Sequence, residues 1–232
     1  MKKITIQKAS PYELKSILKI EQAAWPEGDG MVADQEKFII RLRQELINIA
    51  LIDGEPAGAI TFQKPGWISS EIIQAIHNDF LQSGDLLNWY ELSEKYNLPK
   101  DWYQATDDGY LNGTHSIESN CGFLVGVGVD PKFQGQGIVN KLIAYTLQDL
   151  KSQGINHIIG YGRLPQLSQQ YDSPSISEAE QHLLTQKPGT NFSRDYGARF
   201  HQFNGAESVS VIPNVMDDPE SCDYGFLALY NI

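Results

Sequence analysis

The chain has 232 residues, with 18 Lys or Arg against 29 Asp or Glu, a formal net charge of −11. That balance argues against a general nucleic-acid binder, which carries a basic face, and against docking on an anionic membrane. At 41% hydrophobic and 20% charged residues the chain is not collagen-like, low-complexity or disordered, and its length allows one large domain or two small ones.

Ile4 and Ile6 alternate as in a short strand. Ser10-Pro11-Tyr12-Glu13 reads as a helix start, with Ser10 as N-cap, Pro11 at the first helical position and Glu13 as the capping-box acid. Leu14, Ile17, Leu18 and Ala24 keep helical spacing as far as Trp25-Pro26, and a second helix is predicted from Asp34, with Phe38, Ile39, Leu42 and Leu46 on one face. The apolar runs Ile47 to Ile52 and Ala57 to Phe62 flank Asp53-Gly54-Glu55-Pro56, a hairpin signal.

Residues 64–119 differ in character. Ile72, Ile73, Ile76 and Phe80 predict one helix, and Leu86, Leu87, Tyr90 and Tyr96 another; Trp67, Trp89 and Trp102 also fall here. The segment reads as a helical insertion packed on a sheet, or as a lid or wall for an acceptor. Its end, Asp107 to Asn120, is polar and glycine-rich.

Gly122 to Val129 is an apolar run of strand character, broken by Asp130-Pro131-Lys132-Phe133. Gln134-Gly135-Gln136-Gly137 then leads into a helix carrying Ile138, Leu142, Ile143, Leu147 and Leu150 on one face and stopped by Gly154. A strand from Ile155 to Tyr161 completes the β-turn-α-β unit. Residues 163–193 are irregular, with a short helix predicted from Ser177 to Leu184. A helix from Arg194 to Asn204 stops at Gly205, and Ser208 to Ile212 and Tyr224 to Tyr230 form a closing strand pair. Cys121 and Cys222 make neither a disulfide framework nor a zinc ligand set, and no metal site is expected. Met1 to Ile6 lacks the apolar run of a secretory signal, and no stretch nears the ~18 apolar residues of a membrane span. The expectation is a cytoplasmic protein with free thiols.

The turn at Gly135 and Gly137 carries the chemistry. The first N–H groups of a helix lack intrahelical partners and lie at the positive end of its dipole, so the position suits a phosphate or pyrophosphate. Three ligand classes use such a site. A P-loop needs Lys directly after its last glycine, whereas Lys141 comes four residues after Gly137. A dinucleotide fold needs a third glycine and an acid about 20 residues on; here Asn140 and the strand end Gly160-Tyr161-Gly162 stand instead. A plain β-to-α turn without ligand is the remaining alternative.

The run Val127-Gly128-Val129-Asp130-Pro131-Lys132-Phe133-Gln134-Gly135-Gln136-Gly137 resembles the acyl-CoA pyrophosphate loop of the GNAT superfamily of N-acetyltransferases, whose pattern is Gln/Arg-x-x-Gly-x-Gly/Ala. Gln134 and Gly137 match, while Val139 stands where Gly or Ala is usual. The element order resembles the family over nearly the whole chain, apart from 64–119 and 163–193. The resemblance implies an α/β (α+β) fold, a mixed central sheet flanked by helices, as a single domain over 1–232 with a helical insertion at about 64–119. It implies acetyl-CoA or another acyl-CoA as co-substrate. The backbone of Val127, Gly128 and Val129 would hold the pantetheine arm and thioester; Gln134, Gly135, Gln136, Gly137, Ile138 and Val139 would hold the pyrophosphate, with Lys132 and Lys141 nearby.

In many members a Tyr four residues before a Gly protonates the leaving thiolate. Here Phe200-His201-Gln202-Phe203-Asn204-Gly205 places His201 at that position, a candidate general acid or base with an ordinary pKa near 6.5. A helix-end histidine placed for the dipole is the alternative. Arg199-Phe200-His201, Val211-Ile212-Pro213-Asn214 and Tyr224-Gly225-Phe226 further resemble the GNAT-like domains fused to nitrilase-like amidohydrolases or serving as acyl-loading domains of polyketide synthases. That branch would imply malonyl-CoA decarboxylation and transfer to a carrier-protein thiol, with Arg163 or Arg199 as the cation for the malonyl carboxylate. The segment Val215-Met216-Asp217-Asp218 lacks the basic residue expected there. For an amine acceptor, Glu27 and Asp29 fall where the family contacts its acceptor, and Glu118 and Asp223 are further carboxylate candidates. His77, His115, His157 and His182 read as surface or loop residues.

The leading expectation is acetyl transfer from acetyl-CoA to a small-molecule or peptide amine. The rivals are a decarboxylating loader acting with an acyl carrier protein and a non-catalytic CoA-binding sensor. Neither nucleic acid nor membrane is expected as a partner. The acidic charge favours an amine over an acidic carrier protein; His201 favours the loader.

Overall fold

The structure, a computed structural model, describes residues 3–24 and 33–232. Among them the chain forms seven strands in one sheet, ordered β1-β2-β3-β4-β5-β7-β6, and eight α-helices. The first strand, β1 (Ile4–Lys8), pairs antiparallel with β2 (Ile47–Ile52), and β2 with β3 (Glu55–Gln63). The hairpin turn is two residues, Asp53 at φ 51° and Gly54 at φ 87°, the left-handed pair that matches strand twist; β3 therefore starts two residues earlier than the apolar run.

Between β1 and β2, Ser10 and Glu13 form the expected capping box, the Ser10 N–H donating to Glu13 Oε2 at 2.7 Å. It opens α1 (Leu14–Ala24), and Asp34 caps α2 (Gln35–Arg43) through the Lys37 N–H at 2.9 Å. Ile17 and Phe38 bury a common core against Ile47 and Ile49. Arg41 is also buried there. Its Nε and Nη2 both donate to the Gly109 carbonyl, at 2.8 and 2.5 Å, tying α2 to segment 64–119. Burial pushes the Arg41 guanidinium down to about 10 against the opposing pull of Glu21 and Asp34.

Segment 64–119 contains three helices rather than two: α3 (Ser70–Ser83), α4 (Trp89–Tyr96) and α5 (Trp102–Thr106). The short α5 has too few residues to show periodicity, and its Asp101 cap accepts from the Gln104 N–H at 2.7 Å. Trp89 and Trp102 pack in one core with Phe123, Tyr161 and Leu227 on this face of the sheet.

The next strand, β4 (Gly122–Val129), is antiparallel to β3, and α6 (Ile138–Ser152) follows. The strand after it, β5 (His157–Arg163), begins two residues later than the apolar pattern, because Ile155 closes the α6 terminus through its N–H to the Leu150 carbonyl. Then come α7 (Ile176–Leu184), α8 (Tyr196–Phe203), β6 (Ala206–Ile212) and β7 (Gly225–Asn231). Leu142, Ile143, Ala198, Phe226 and Tyr230 belong to a second core, on the sheet face opposite Trp89 and Trp102. No helix among the described residues is long and apolar enough to cross a membrane.

Candidate acyl-CoA site

The parallel contact of β4 with β5 is short. It runs only from Gly122 opposite Ile158 to Leu124 opposite Gly160. Beyond it β4 stays with β3 and β5 continues along β7, so the two strands part. At the parting, β4 carries a bulge: Thr61 faces Gly126, the adjacent Phe62 faces Leu124, and Val125 is the extra residue. A bulge re-aims the backbone after it, here over Gly126 to Val129, which includes the residues where the family resemblance would put the pantetheine arm. Trp102 holds the bulge by donating its Nε1–H to the Val125 carbonyl at 3.1 Å.

Gly126 is exposed, and a Cβ built on it would meet no atom within 4 Å. Gly128 faces α1 instead. A Cβ there would stand 3.2 Å from Ala24 Cβ, 3.5 Å from Ile20 Cγ2 and 3.9 Å from Glu21 Oε2. Glu21 thus lies beside the bulged strand, its Oε1 accepting the Ala33 N–H at 3.2 Å. The sequence reading missed this carboxylate. The signal was present, because an acid at the fourth position after Ile17 interrupts the apolar stripe of α1.

Past β4, Asp130 caps a turn by accepting the Lys132 N–H at 3.0 Å. Gly135 and Gly137 take φ of 74° and 70°, left-handed values that a side chain disfavours, and Gly137 is the N-cap of α6 without a capping side chain. Among the described residues the backbone N–H groups of 135 to 140 donate to no protein acceptor, and the first intrahelical bond is Lys141 N–H to the Gly137 carbonyl at 3.2 Å. Gln134 Nε2 reaches the Val129 carbonyl at 3.5 Å. Ile138 is buried, and Val139 packs on the same core, so its extra bulk is absorbed inward. Lys132 is occupied by an ion pair with Glu55 and lies over the Phe133 ring; Lys141 is exposed.

His201 lies on α8 with its ring edge-on to Phe226, centroids 5.3 Å apart, and 5.0 Å from the Phe200 ring. The Phe226 ring in turn covers Gly162, on the part of β5 that has left β4. His201 Nδ1 is 2.8 Å from Tyr230 Oη. Burial pushes the imidazole down to about 4, so the ordinary value near 6.5 does not hold and the ring is neutral near pH 7. A dipole-stabilised imidazolium at the helix end would have shifted the other way.

Arg163 is engaged by acids. Its Nε and Nη2 meet Asp218 Oδ2 and Oδ1, both at 2.7 Å, and Nη2 meets Glu220 at 3.1 Å. Burial alone would raise Asp218, but hydrogen bonds from Arg163 and Ser221 bring it below its ordinary value. Arg199 donates to the Ser193 and Arg194 carbonyls. Glu118 is exposed, and Asp223 Oδ1 accepts the Asp218 N–H at 2.8 Å. Glu27 and Asp29 lie outside the described residues. The reading of His182 as a surface or loop residue is corrected: it sits on α7, 3% exposed, with Nε2 3.1 Å from Asp195 Oδ2 and Nδ1 3.1 Å from Gln170. His77 and His157 also sit on regular elements, α3 and β5, while His115 lies in a loop.

A bulged strand thus parts from its parallel neighbour and is followed by a helix start whose first N–H groups lack protein partners among the described residues, the local geometry that the first turn of a helix offers to an anion. The chain belongs to the acetyltransferase (GNAT) family: the family model matches residues 14–163. A relative from Bacillus subtilis (strain 168), the uncharacterized N-acetyltransferase YkwB, is 28% identical over 127 residues, and the match spans about half of each protein, 54% of this chain and 53% of the relative. Among solved structures, the loading GNATL domain of CurA from Lyngbya majuscula superposes with a TM-score of 0.73 at 19% identity, covering 99% of this chain and 98% of that one. The GphF GNAT-like decarboxylase in complex with isobutyryl-CoA gives 0.65 at 18% identity, covering 98% of both. The ribosomal-protein-S18-alanine N-acetyltransferase from Escherichia coli gives 0.53 at 12% identity, covering 99% and 94%. These likenesses are of fold.

Proposed function

We propose that this protein is an acyl-CoA-dependent acyltransferase that passes an acetyl group from acetyl-CoA to a small-molecule or peptide amine by direct attack on the thioester. The supporting observation is the run of N–H donors at 135–140, set immediately after the bulged half of β4. The cradle would bind the pyrophosphate, and the backbone of Val127 to Val129 would bind the arm and thioester. Backbone donors suit a developing oxyanion because they are fixed before the charge appears. Glu21 beside Gly128 and the net charge of −11 favour a cationic amine as acceptor. Arg163 has its charge already met by Asp218 and Glu220, so on this reading it is not asked to hold the substrate.

A second reading is a malonyl-CoA decarboxylase and acyl loader acting on a carrier-protein thiol. It is favoured by the full-length likeness to the CurA loading domain and the GphF decarboxylase and by His201 on α8. The test is incubation with acetyl-CoA and with malonyl-CoA, with and without a panel of amines, followed by mass spectrometry. CoA release from acetyl-CoA only with an amine supports the first reading. Conversion of malonyl-CoA to acetyl-CoA supports the second. Tight binding without turnover identifies a sensor, and no binding of any CoA species refutes the cradle.

A further inference from the structure

Tyr230, on β7, is 1% exposed. Its hydroxyl makes one hydrogen bond among the described residues, to His201 Nδ1 at 2.8 Å. A phenol O–H carries a single proton, and a neutral imidazole carries one N–H and one bare nitrogen. If Nδ1 held the imidazole proton, it would donate to Oη and leave the buried O–H without an acceptor, a costly arrangement. If the O–H donates to Nδ1, both groups are satisfied and the imidazole proton resides on Nε2. His201 Nε2 makes no hydrogen bond among the described residues, and the residue keeps partial exposure.

We propose that Tyr230 is a positioning residue that fixes His201 as the Nε2–H tautomer, so that His201 serves acyl transfer as a neutral hydrogen-bond donor and not as a base. The inference rests on the acyltransferase reading for its use, though not for its geometry. The surroundings agree with it. The ring meets Phe200, Phe226 and Tyr230, none of them charged, and burial alone lowers its pKa. A base at this position would need a bare Nε2, which the Tyr230 hydroxyl disfavours. A neutral imidazole is a weak proton source but an effective electrophile toward developing negative charge. As the amine attacks, charge builds first on the thioester oxygen and then on sulfur. The C–N bond forms, the C–S bond breaks, and the electron pair leaves on sulfur. The amine yields its surplus proton to solvent, the thiolate takes one from solvent, and His201 keeps its own.

The test begins with the tautomer itself. The full chain, labelled with nitrogen-15 histidine, is measured by long-range proton–nitrogen NMR near pH 7. A pyridine-type shift at His201 Nδ1 with a pyrrole-type shift at Nε2 is expected, and the reverse pattern overturns the proposal. In Tyr230→Phe the two nitrogens should move toward an averaged shift. With acetyl-CoA and an accepted amine, Tyr230→Phe should lower kcat by on the order of tenfold to a hundredfold with KM for acetyl-CoA unchanged. His201→Gln, whose amide N–H lies near the place of Nε2–H, should retain more kcat than His201→Asn. A wild-type kcat profile that breaks between about pH 6 and about pH 7.5 and loses the break in His201→Gln would show a titrating base and refute the donor role. Calorimetry with CoA keeps the two ideas apart: absent binding removes the acyltransferase reading, while the NMR result decides the tautomer independently.

Discussion

Acidification should destabilise this protein through His201. In the fold the imidazole titrates at about 4 because burial opposes its charge, against about 6.5 in the unfolded chain. Between those values the unfolded chain binds more protons, so stability rises with pH there. The contribution is whole above about pH 6.5, is lost as the pH falls, and is gone below about pH 4. A gap of about 2.5 units corresponds to about 3 kcal/mol, most of it spent by about pH 4.5. His115 and His157 are shifted down as well, each chiefly by burial, with Lys64 and His77 adding to it. They act with the same sign in the same window, so the wild-type slope alone does not isolate His201. Asp218 is shifted down as a carboxylate, and its contribution is lost only at lower pH, below its ordinary value. The assay is urea unfolding of wild type and His201→Gln at about pH 7 and about pH 4.5, with the free energies extrapolated linearly. The wild type should lose about 2–3 kcal/mol more than the variant over that interval. Equal losses would mean that the imidazole is solvated in the folded protein, and the argument for a neutral donor would fall with it.

Gly137→Val places a β-branched residue at φ 70°; it should cost about 1–2 kcal/mol in urea unfolding and weaken CoA in calorimetry by more than about tenfold. Trp102→Phe removes the donor to the buried Val125 carbonyl; it should cost about 1–3 kcal/mol and lower kcat more than it raises KM for acetyl-CoA. Asp195→Ala removes the cap on the Gly197 and Ala198 N–H groups and the partner of His182; a loss of about 2–4 kcal/mol by thermal unfolding is expected, with CoA affinity retained below the transition.

What the sequence made legible was local. Ser10, Pro11 and Glu13 announced a helix start, Asp53-Gly54 a hairpin turn, and Gly135 and Gly137 a backbone that side chains would obstruct. Each of these effects acts within a few residues. The parting of β4 from β5 was not legible from composition or periodicity, because it depends on where two distant strands stop pairing. The α5 helix escaped for want of length. The Arg163–Asp218 pair and the His182–Asp195 pair join residues from separate segments, so neither the occupation of Arg163 nor the burial of His182 could be read along the chain. His201 was found through its resemblance to the family position of a Tyr four residues before a Gly, yet its protonation followed from its packing against Phe226 and Tyr230 on β7. A resemblance can assign a position, whereas desolvation is a property of the packed core.

The same distinction gives segment 64–119 a physical role. A bulge leaves a residue with no opposite number in the ladder, and a strand pair that separates uncovers backbone that a regular sheet would satisfy. Both happen on β4 within a few residues of Val125. The donor that meets the Val125 carbonyl comes from Trp102 on α5, whose backbone N–H also holds the Val215 carbonyl at 2.7 Å. One residue therefore fastens the bulged strand to the loop between β6 and β7, and β7 carries the Tyr230 that orients His201. A buried indole suits this task because its single N–H is aimed by a large ring with few rotamers. Segment 64–119 thereby acts on the backbone that would receive the thioester, in addition to covering the sheet.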